Sequence, residues 1–271
     1  MDIIKKISEE IGCRTSQTEA AVKLIDEGNT IPFIARYRKE ATGALNDEQL
    51  RTLHERLTYL RNLEDKKAQV IASIEEQGKL TPELRAEIET AETMVLVDDL
   101  YRPYRPKRKT RATVAKDKGL EGLANIISLQ MTSTPIRTEA EKYVSTEKGV
   151  ETVDDAISGA MDIIAENISD TADYRTKIRD LTTKKGFINT AAKDPDAESV
   201  YEMYYNFSAP ISKMTGYRTL AVNRGEKEKF ITVKIEAPVD EIISYLRKKI
   251  IARDNSDTSE ILDNVIDDSY S

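Results

Sequence analysis

The residues in this sequence whose types and spacing most clearly suggest a binding role are clustered cations. Residues 101–118, YRPYRPKRKTRATVAKDK, contain eight basic residues and one acid, Asp117, so the segment has a net charge of +7. Because the whole chain has a formal net charge of −7, the remainder must total −14. These cations can neutralise phosphate groups or pair with carboxylates. They are Arg102, Arg105, Lys107, Arg108, Lys109, Arg111, Lys116 and Lys118.

Two prolines, Pro103 and Pro106, predict that residues 102–111 are extended and that their cations lie along a surface strip. Such a strip favours nucleic-acid binding that tolerates many sequences and weakens with salt, and Tyr101 and Tyr104 could stack on bases. The alternative is that the cations pair with the chain's own surplus carboxylates or dock an acidic partner. The acidity of the whole chain also discourages indiscriminate binding to polyanions.

Residue types that build common enzyme sites are scarce. The one histidine, His54, lies in a charged helical stretch, is interpreted as a surface residue, and cannot form a multi-histidine metal site. The sequence lacks GxGxxG, GxxxxGK[ST] and GxSxG patterns. Acids are abundant, but their spacing singles out no pair. We therefore expect no catalytic residue, no metal and no cofactor, and a hydrolase built on paired carboxylates is a minor alternative.

The elements that must position these cations are predicted to be helices. A chain of 271 residues with 33% charged residues, no Trp and 6% aromatic residues suits long amphipathic helices. The fold class predicted is mainly α, a multi-helix array with one long spine helix and at most a minor β element. A single cysteine, Cys13, and the absence of a signal peptide favour a cytoplasmic protein. No apolar run approaches the roughly 20 residues of a membrane span.

The longest helix is predicted over residues 47–77. Asn46 and Gln49 have the spacing of a capping box, and Gly78 is the expected stop. Leucines and isoleucines recur at three and four residues, while Glu64 and Lys67 interrupt this apolar seam. We expect a spine about 45 Å long that packs against several neighbours. An intermolecular coiled coil is the alternative.

The helical pattern divides the chain into four segments. Residues 1–100 form an N-terminal helical subdomain, 101–118 a basic connector, 119–210 a second helical subdomain, and 211–271 a helix, a short strand and two further helices. Gly186 is expected to cap the helix before it. Within 217–235, helix plus strand and a β-hairpin are both open.

Two further features concern packing and the end of the chain. Four aromatic residues occur in YEMYYNF, residues 201–207, and we interpret them as packing residues because no cationic run flanks them. The sequence stops within an amphipathic helical pattern, as a piece of a longer protein would. The acidic residues near this end are interpreted as a solvated helix face.

Several long motifs resemble the N-terminal region of Tex proteins, a family of bacterial transcription accessory proteins. They are IPFIARYRKEATGALNDEQL (31–50), SIEEQGKLTPEL (73–84), DDLYRPYRPKRKTRATVAKDKGLEGLA (98–124) and YRTLAVNRGEKE (217–228). Because these motifs occur in order across nearly the whole chain, they are more specific than one short pattern. The resemblance adds Arg36, Arg38 and Lys39 of ARYRKE to the candidate binding residues.

The resemblance also implies a role and partners. Tex proteins are linked to transcription and are similar to a eukaryotic elongation factor that associates with RNA polymerase and histones. In that family, RNase-H-like, helix-hairpin-helix and S1 domains follow this region, and none of them is found in these 271 residues. RNA or DNA binding is therefore expected mainly through those missing domains, and no catalytic residue is transferred. The alternative role is a scaffold that docks RNA polymerase or associated factors without direct nucleic-acid contact.

Overall fold

A computed structural model describes residues 2–106, 109–252 and 256–270. The chain forms two compact units, Met1–Tyr104 and Arg105–Ser271. The four-segment division, with boundaries at residues 100, 118 and 210, stays a prediction. The described residues contain fourteen α-helices and three β-strands, which confirms a mainly α fold with a minor β element. None of the described helices combines the length and the apolar character that crossing a membrane requires.

In its described residues, the first unit contains six α-helices, one 3-10 turn and no strand. The helices are α1 (Ile3–Ile11), α2 (Thr15–Asp26), α3 (Ile31–Tyr37), α4 (Asp47–Glu76), α5 (Pro82–Thr90) and α6 (Met94–Tyr101), and a 3-10 turn follows at Arg102–Tyr104.

Helix α4 is the predicted spine. Asn46 accepts a hydrogen bond from the Gln49 backbone N–H at 2.8 Å, and the Gln49 side chain accepts one from the Asn46 N–H at 3.1 Å. The helix runs for 30 residues and ends before Gly78, whose φ is +67°. Its apolar side faces α1, α2, α3, α5 and α6. Among the described residues, this packing leaves no open seam on α4 for an intermolecular coiled coil.

The second unit combines helices with a small sheet. Its elements are α7 (Arg111–Asp117), α8 (Glu121–Leu129), α9 (Ile136–Glu141), α10 (Val153–Asp170), α11 (Ala172–Lys185), β1 (Phe187–Ala192), β2 (Asn206–Pro210), α12 (Gly216–Lys227), β3 (Ile231–Glu236), α13 (Val239–Ile250) and α14 (Asp257–Tyr270).

Helix α10 is the centre of the second unit. Its buried residues include Ala160, Ile164 and Ile168. The helix packs against α7, α8, α9 and α14. Most apolar side chains of α10 therefore belong to a core.

The three strands form an antiparallel sheet in the order β2-β1-β3. The helix α12 leads into β3, so the helix-plus-strand interpretation of 217–235 is confirmed and the hairpin is wrong. Tyr204 is buried with Val222 and Ile231, and the ring of Tyr201 lies 5.7 Å from that of Phe230. These contacts agree with a packing role for the aromatic residues of YEMYYNF.

Candidate nucleic-acid interface

The basic segment is not one extended strip. Residues Arg102–Tyr104 form a 3-10 turn that directly continues α6, and residues 111–117 form α7, so the extended conformation predicted from the prolines is wrong at these positions. The fixed φ of Pro103 is compatible with helical geometry and does not force an extended chain. Arg102 and Arg105 are exposed. Lys107 and Arg108 lie outside the described residues.

The turn at Arg102–Tyr104 is fixed to the C-terminal part of α4. The hydroxyl groups of Tyr101 and Ser73 lie 2.9 Å apart, and the Gln77 side-chain amide donates to the Tyr104 carbonyl at 3.0 Å. Tyr101 is half-buried, so it does not present a free ring to solvent. Stacking of Tyr101 on a base therefore does not fit its position.

Cations of α7 and the residue after it interact inside the second unit. The Arg111 guanidinium lies 3.4 Å from Asp162 and 3.0 Å from Asp268. Lys116 lies 3.8 Å from Glu166, and Lys118 donates to a backbone carbonyl at 2.8 Å. For this half of the segment, the interpretation of internal pairing fits the structure. The exposed Lys109, by contrast, has no carboxylate partner among the described residues.

Burial affects the Arg111 cluster as well. Desolvation raises the pKa of Asp162, the positive charge of Arg111 opposes this rise, and the negative charge of Asp268 adds to it. Two carboxylates that share one guanidinium are held as a structural cluster, because the arginine neutralises charge that burial disfavours. The Arg111 side chain is 72% exposed, but two carboxylates share its positive charge, so it is less available to a phosphate than an unpaired cation is.

The cations of ARYRKE have a different environment. Arg36, Arg38 and Lys39 are exposed at the C-terminal end of α3 and in the turn that follows. In the described part of the chain, none of the three lies within ion-pair distance of a carboxylate. Position near a helix C-terminus favours cations, but it does not neutralise them. These three charges therefore remain available to an external anion.

The cations of helix α4, in the same unit, provide a contrast. All five basic residues of this helix contact a carboxylate, at distances from 2.6 to 2.8 Å. They are Arg51, Arg56, Arg61, Lys66 and Lys67. The ARYRKE cations thus differ from the cations of α4.

Two aromatic rings lie beside these cations. The ring centroids of Phe33 and Tyr37 are 5.3 Å apart, at an interplanar angle of 47°. The Arg38 guanidinium carbon lies 5.0 Å from the Phe33 centroid, within the range of a cation–π contact. Phe33 is 36% exposed and Tyr37 is 60% exposed. We call Phe33, Arg36, Tyr37, Arg38 and Lys39 the α3 surface.

The turn after α3 is held by a residue that sequence reasoning missed. The Gln17 amide donates to the carbonyls of Thr42 and Gly43 at 3.2 and 2.8 Å, while its oxygen accepts from the Arg14 backbone N–H at 3.1 Å. A Cβ on Gly43 would lie 2.7 Å from Gln17, and its φ is +59°. Gln17 thus connects exposed Arg14 with the turn that follows α3. The two partners of Gln17 in this turn are about 25 residues away in sequence, and no sequence pattern predicts these contacts.

Comparisons with known proteins match both parts of the chain. Residues 1–75 match the family described as Tex-like protein N-terminal domain, and residues 131–264 match the one described as Tex central region-like.

Individual relatives are found in bacteria and in animals. The chain is 47% identical over 269 residues to the uncharacterized protein YdcI of Bacillus subtilis, covering 98% of this chain and 37% of the relative. It is 39% identical to the transcriptional accessory protein Tex of Neisseria gonorrhoeae, covering 93% and 34%. Identity to the human S1 RNA-binding domain-containing protein 1 is 29%, covering 86% and 24%. The chain thus spans about a third of the length of its bacterial relatives.

Proposed function

Because the chain belongs to the Tex family of transcription accessory proteins, we propose that it is a helical N-terminal scaffold that contacts nucleic acid through the α3 surface. The observation that carries the proposal is the contrast between Arg36, Arg38 and Lys39, which have no carboxylate partner among the described residues, and Arg111, which contacts two. Cations without internal partners can replace the counterions of a phosphate backbone. We place this function in the cytoplasm.

The expected binding is weak, electrostatic and tolerant of sequence. Three cations can contact about three phosphates, and each contact to a single strand lowers the slope of log K against log salt by about 0.7. The human relative is named for an S1 RNA-binding domain, which supports RNA as a ligand class to test beside DNA. In a longer Tex protein, this surface would add to binding by other domains.

A salt titration with two matched triple variants tests the proposal. Replacing Arg36, Arg38 and Lys39 with Ala should weaken binding of RNA or DNA oligonucleotides and reduce the salt slope by about 2. The control variant R111A/K116A/K118A removes the same charge from the second unit, where those cations have internal contacts. It should retain binding and lose stability instead. Equal binding losses in both variants, or no loss in the first, would contradict the proposal.

The same titration on a full-length Tex relative separates this surface from downstream domains. There the α3 variant should lower affinity modestly and reduce the salt slope by the same amount. Lys107, Arg108 and Lys109, together with Arg102 and Arg105, stay candidate contacts. A combined K107A/R108A/K109A variant measures their contribution directly.

We further propose that this chain has no catalytic role. His54 is exposed on α4, and the Arg111 cluster uses its two carboxylates in ion pairs. No motif of the sequence points to a nucleophile or a phosphate-binding loop. Incubation of labelled RNA and DNA with the purified chain should leave both intact, with and without divalent cations. Cleavage that disappears in a D162N variant would overturn this proposal.

A second candidate function is protein docking, and a groove in the second unit favours it. The groove has a volume of about 480 Å³ and is lined mostly by apolar side chains of α10, α11, α13 and β3, including Ile178, Ile235 and Leu246. Ile235 is 58% exposed and lies on β3, an edge strand of the sheet. Such a groove fits an apolar side chain of RNA polymerase or an associated factor. The substitution I235D should then abolish binding of purified polymerase, while L220D on exposed α12 should not.

A further inference from the structure

The α3 surface exposes two aromatic rings, and binding of phosphates by its cations does not explain this exposure. Phe33 and Tyr37 are four residues apart, so they project from the same side of α3. The helix is anchored through Ile34, which is fully buried, and this anchoring leaves the two rings on the outer side. Large exposed apolar side chains are otherwise limited to Val95 in the described part of the first unit.

The Phe33 ring lies between two neighbouring side chains. Arg38 lies over Phe33, and Phe33 in turn contacts Tyr37, so the three side chains form a short tilted stack. Tyr37 is the most exposed ring of that stack. A ring held by neighbours loses little side-chain entropy when a ligand contacts it, which favours stacking on its free face.

We propose that Tyr37, which packs beside Phe33 and Arg38, is a stacking platform for an unpaired base; this proposal rests on the proposed function. The ligand class is single-stranded nucleic acid, with its phosphates contacting the three cations of the α3 surface and a base lying on the Tyr37 ring. A duplex supplies the phosphates, but its bases are already paired and stacked, so the ring has no base face to contact. The surface therefore prefers single strands to duplexes.

The composition of the surface favours a nucleic acid over a protein. A protein interface of standard size includes about 20–30 residues on each side and has an apolar core. The α3 surface offers two rings and three cations, and the cations lack carboxylate partners among the described residues. Aromatic rings interleaved with cations are the arrangement that single-strand binders use.

The test measures binding of the 271-residue chain to an oligonucleotide of about 15 uridines and to a duplex of the same length. Tyr37→Ala should weaken single-strand binding by about 5- to 100-fold and leave duplex binding unchanged, because one base stack is lost. Tyr37→Phe retains the ring and should bind as the original protein does. Circular dichroism checks that each variant has the original helix content.

Tyr217 provides a matched control. It is 63% exposed on α12 of the second unit, and its ring centroid lies 5.9 Å from the Arg218 guanidinium carbon. Tyr217→Ala should leave single-strand affinity unchanged. An equal loss in Tyr217→Ala, or an equal loss of duplex binding in Tyr37→Ala, would overturn the platform.

Photo-crosslinking gives a direct second readout. An oligonucleotide that contains 5-bromouridine should crosslink to the peptide that holds Tyr37. If the Arg36, Arg38 and Lys39 variant loses binding but Tyr37→Ala does not, the platform is wrong and the proposed function survives. If the chain binds neither nucleic acid but binds RNA polymerase through Tyr37, the surface is a protein-docking site, and both proposals are wrong.

Discussion

Lys67 places a charged group inside the core of the first unit. Its side chain is 4% exposed, and its ammonium group donates to Glu64 at 2.8 Å and to the Glu89 carbonyl at 2.9 Å. The lysine thereby joins α4 to the C-terminal part of α5. Its aliphatic stem fills space in an apolar seam, while its hydrogen bonds satisfy a charge that burial disfavours.

Replacing Lys67 by Ala should lower the free energy of unfolding by about 2–4 kcal/mol, because it creates a cavity and removes the donor to the part-buried Glu89 carbonyl. Urea denaturation measures the change. Lys66→Ala is the control, since the adjacent lysine forms a more exposed pair with Asp98 at 2.7 Å. That variant should lose less than about 1 kcal/mol. Equal losses would mean that burial of Lys67 is not what makes it important.

Two bidentate ion pairs connect α4 to the first two helices. Arg56 donates to Glu10 at 2.6 and 2.8 Å, and Arg61 donates to Asp26 at 2.7 and 2.8 Å. These hydrogen bonds, helped by the positive charges, hold the pKa values of Glu10 and Asp26 below their ordinary values of 4.5 and 3.8. Their stabilising effect is therefore present above those ordinary values and is lost as pH falls through the lowered ones.

The double variant E10Q/D26N should show a weaker loss of stability than the original protein as pH falls from about 5 to about 2. The midpoint of urea unfolding, measured across this range, reports the difference. A control variant, E9Q/E27Q, changes two exposed neighbours and should retain the original pH dependence. A pH profile of E10Q/D26N identical to that of the original protein would contradict the role of the two pairs.

At the scale of elements, the positions where helices begin and end were the features predicted best from the sequence. The start of α4 follows from Asn46 and Gln49, and its end follows from Gly78, because caps depend on residues close in sequence. Strands β1 and β2 were missed, because FINTAA and NFSAP lack the alternation of apolar and polar residues by which β3 was predicted. The ARYRKE cations were found from a motif, whereas the Gln17 contact that holds their turn depends on tertiary structure.

Gly186 is the C-terminal cap of α11, as predicted from the sequence. Its φ is −74°, so a left-handed conformation is not the reason for glycine at this position. Glycine is needed because a Cβ would lie 2.5 Å from the Thr182 carbonyl oxygen and 3.0 Å from that of Glu236. Both atoms belong to the backbone, which cannot move aside as a flexible side chain can.

Gly186→Ala should therefore destabilise the second unit by roughly 1–3 kcal/mol. Gly216→Ala is the matched control, because a Cβ at the start of α12 meets no atom within 4 Å. That variant should be neutral or gain up to about 1 kcal/mol, since alanine favours a helix and restricts the unfolded chain. Thermal unfolding of both variants provides the comparison. A neutral Gly186→Ala would show that the junction can relax.

For the whole molecule, the division into two compact units has an energetic consequence. The first unit buries the apolar side of α4, and the second buries α10 among its own helices. Units with separate cores need not unfold in one cooperative step. The substitutions at Lys67 and Gly186 each affect one unit, so they can serve as local reporters in the intact chain.

We expect calorimetry of the 271-residue chain to show two unfolding transitions, because each unit can lose its own core separately. Lys67→Ala should lower the midpoint of one transition, and Gly186→Ala should lower the midpoint of the other. Hydrogen exchange measured by mass spectrometry assigns each transition, since faster exchange in Lys67→Ala should be confined to peptides of residues 2–104. Lys66→Ala and Gly216→Ala are the controls and should leave both midpoints nearly unchanged. A single transition that both core substitutions lower equally would show that the two units unfold as one.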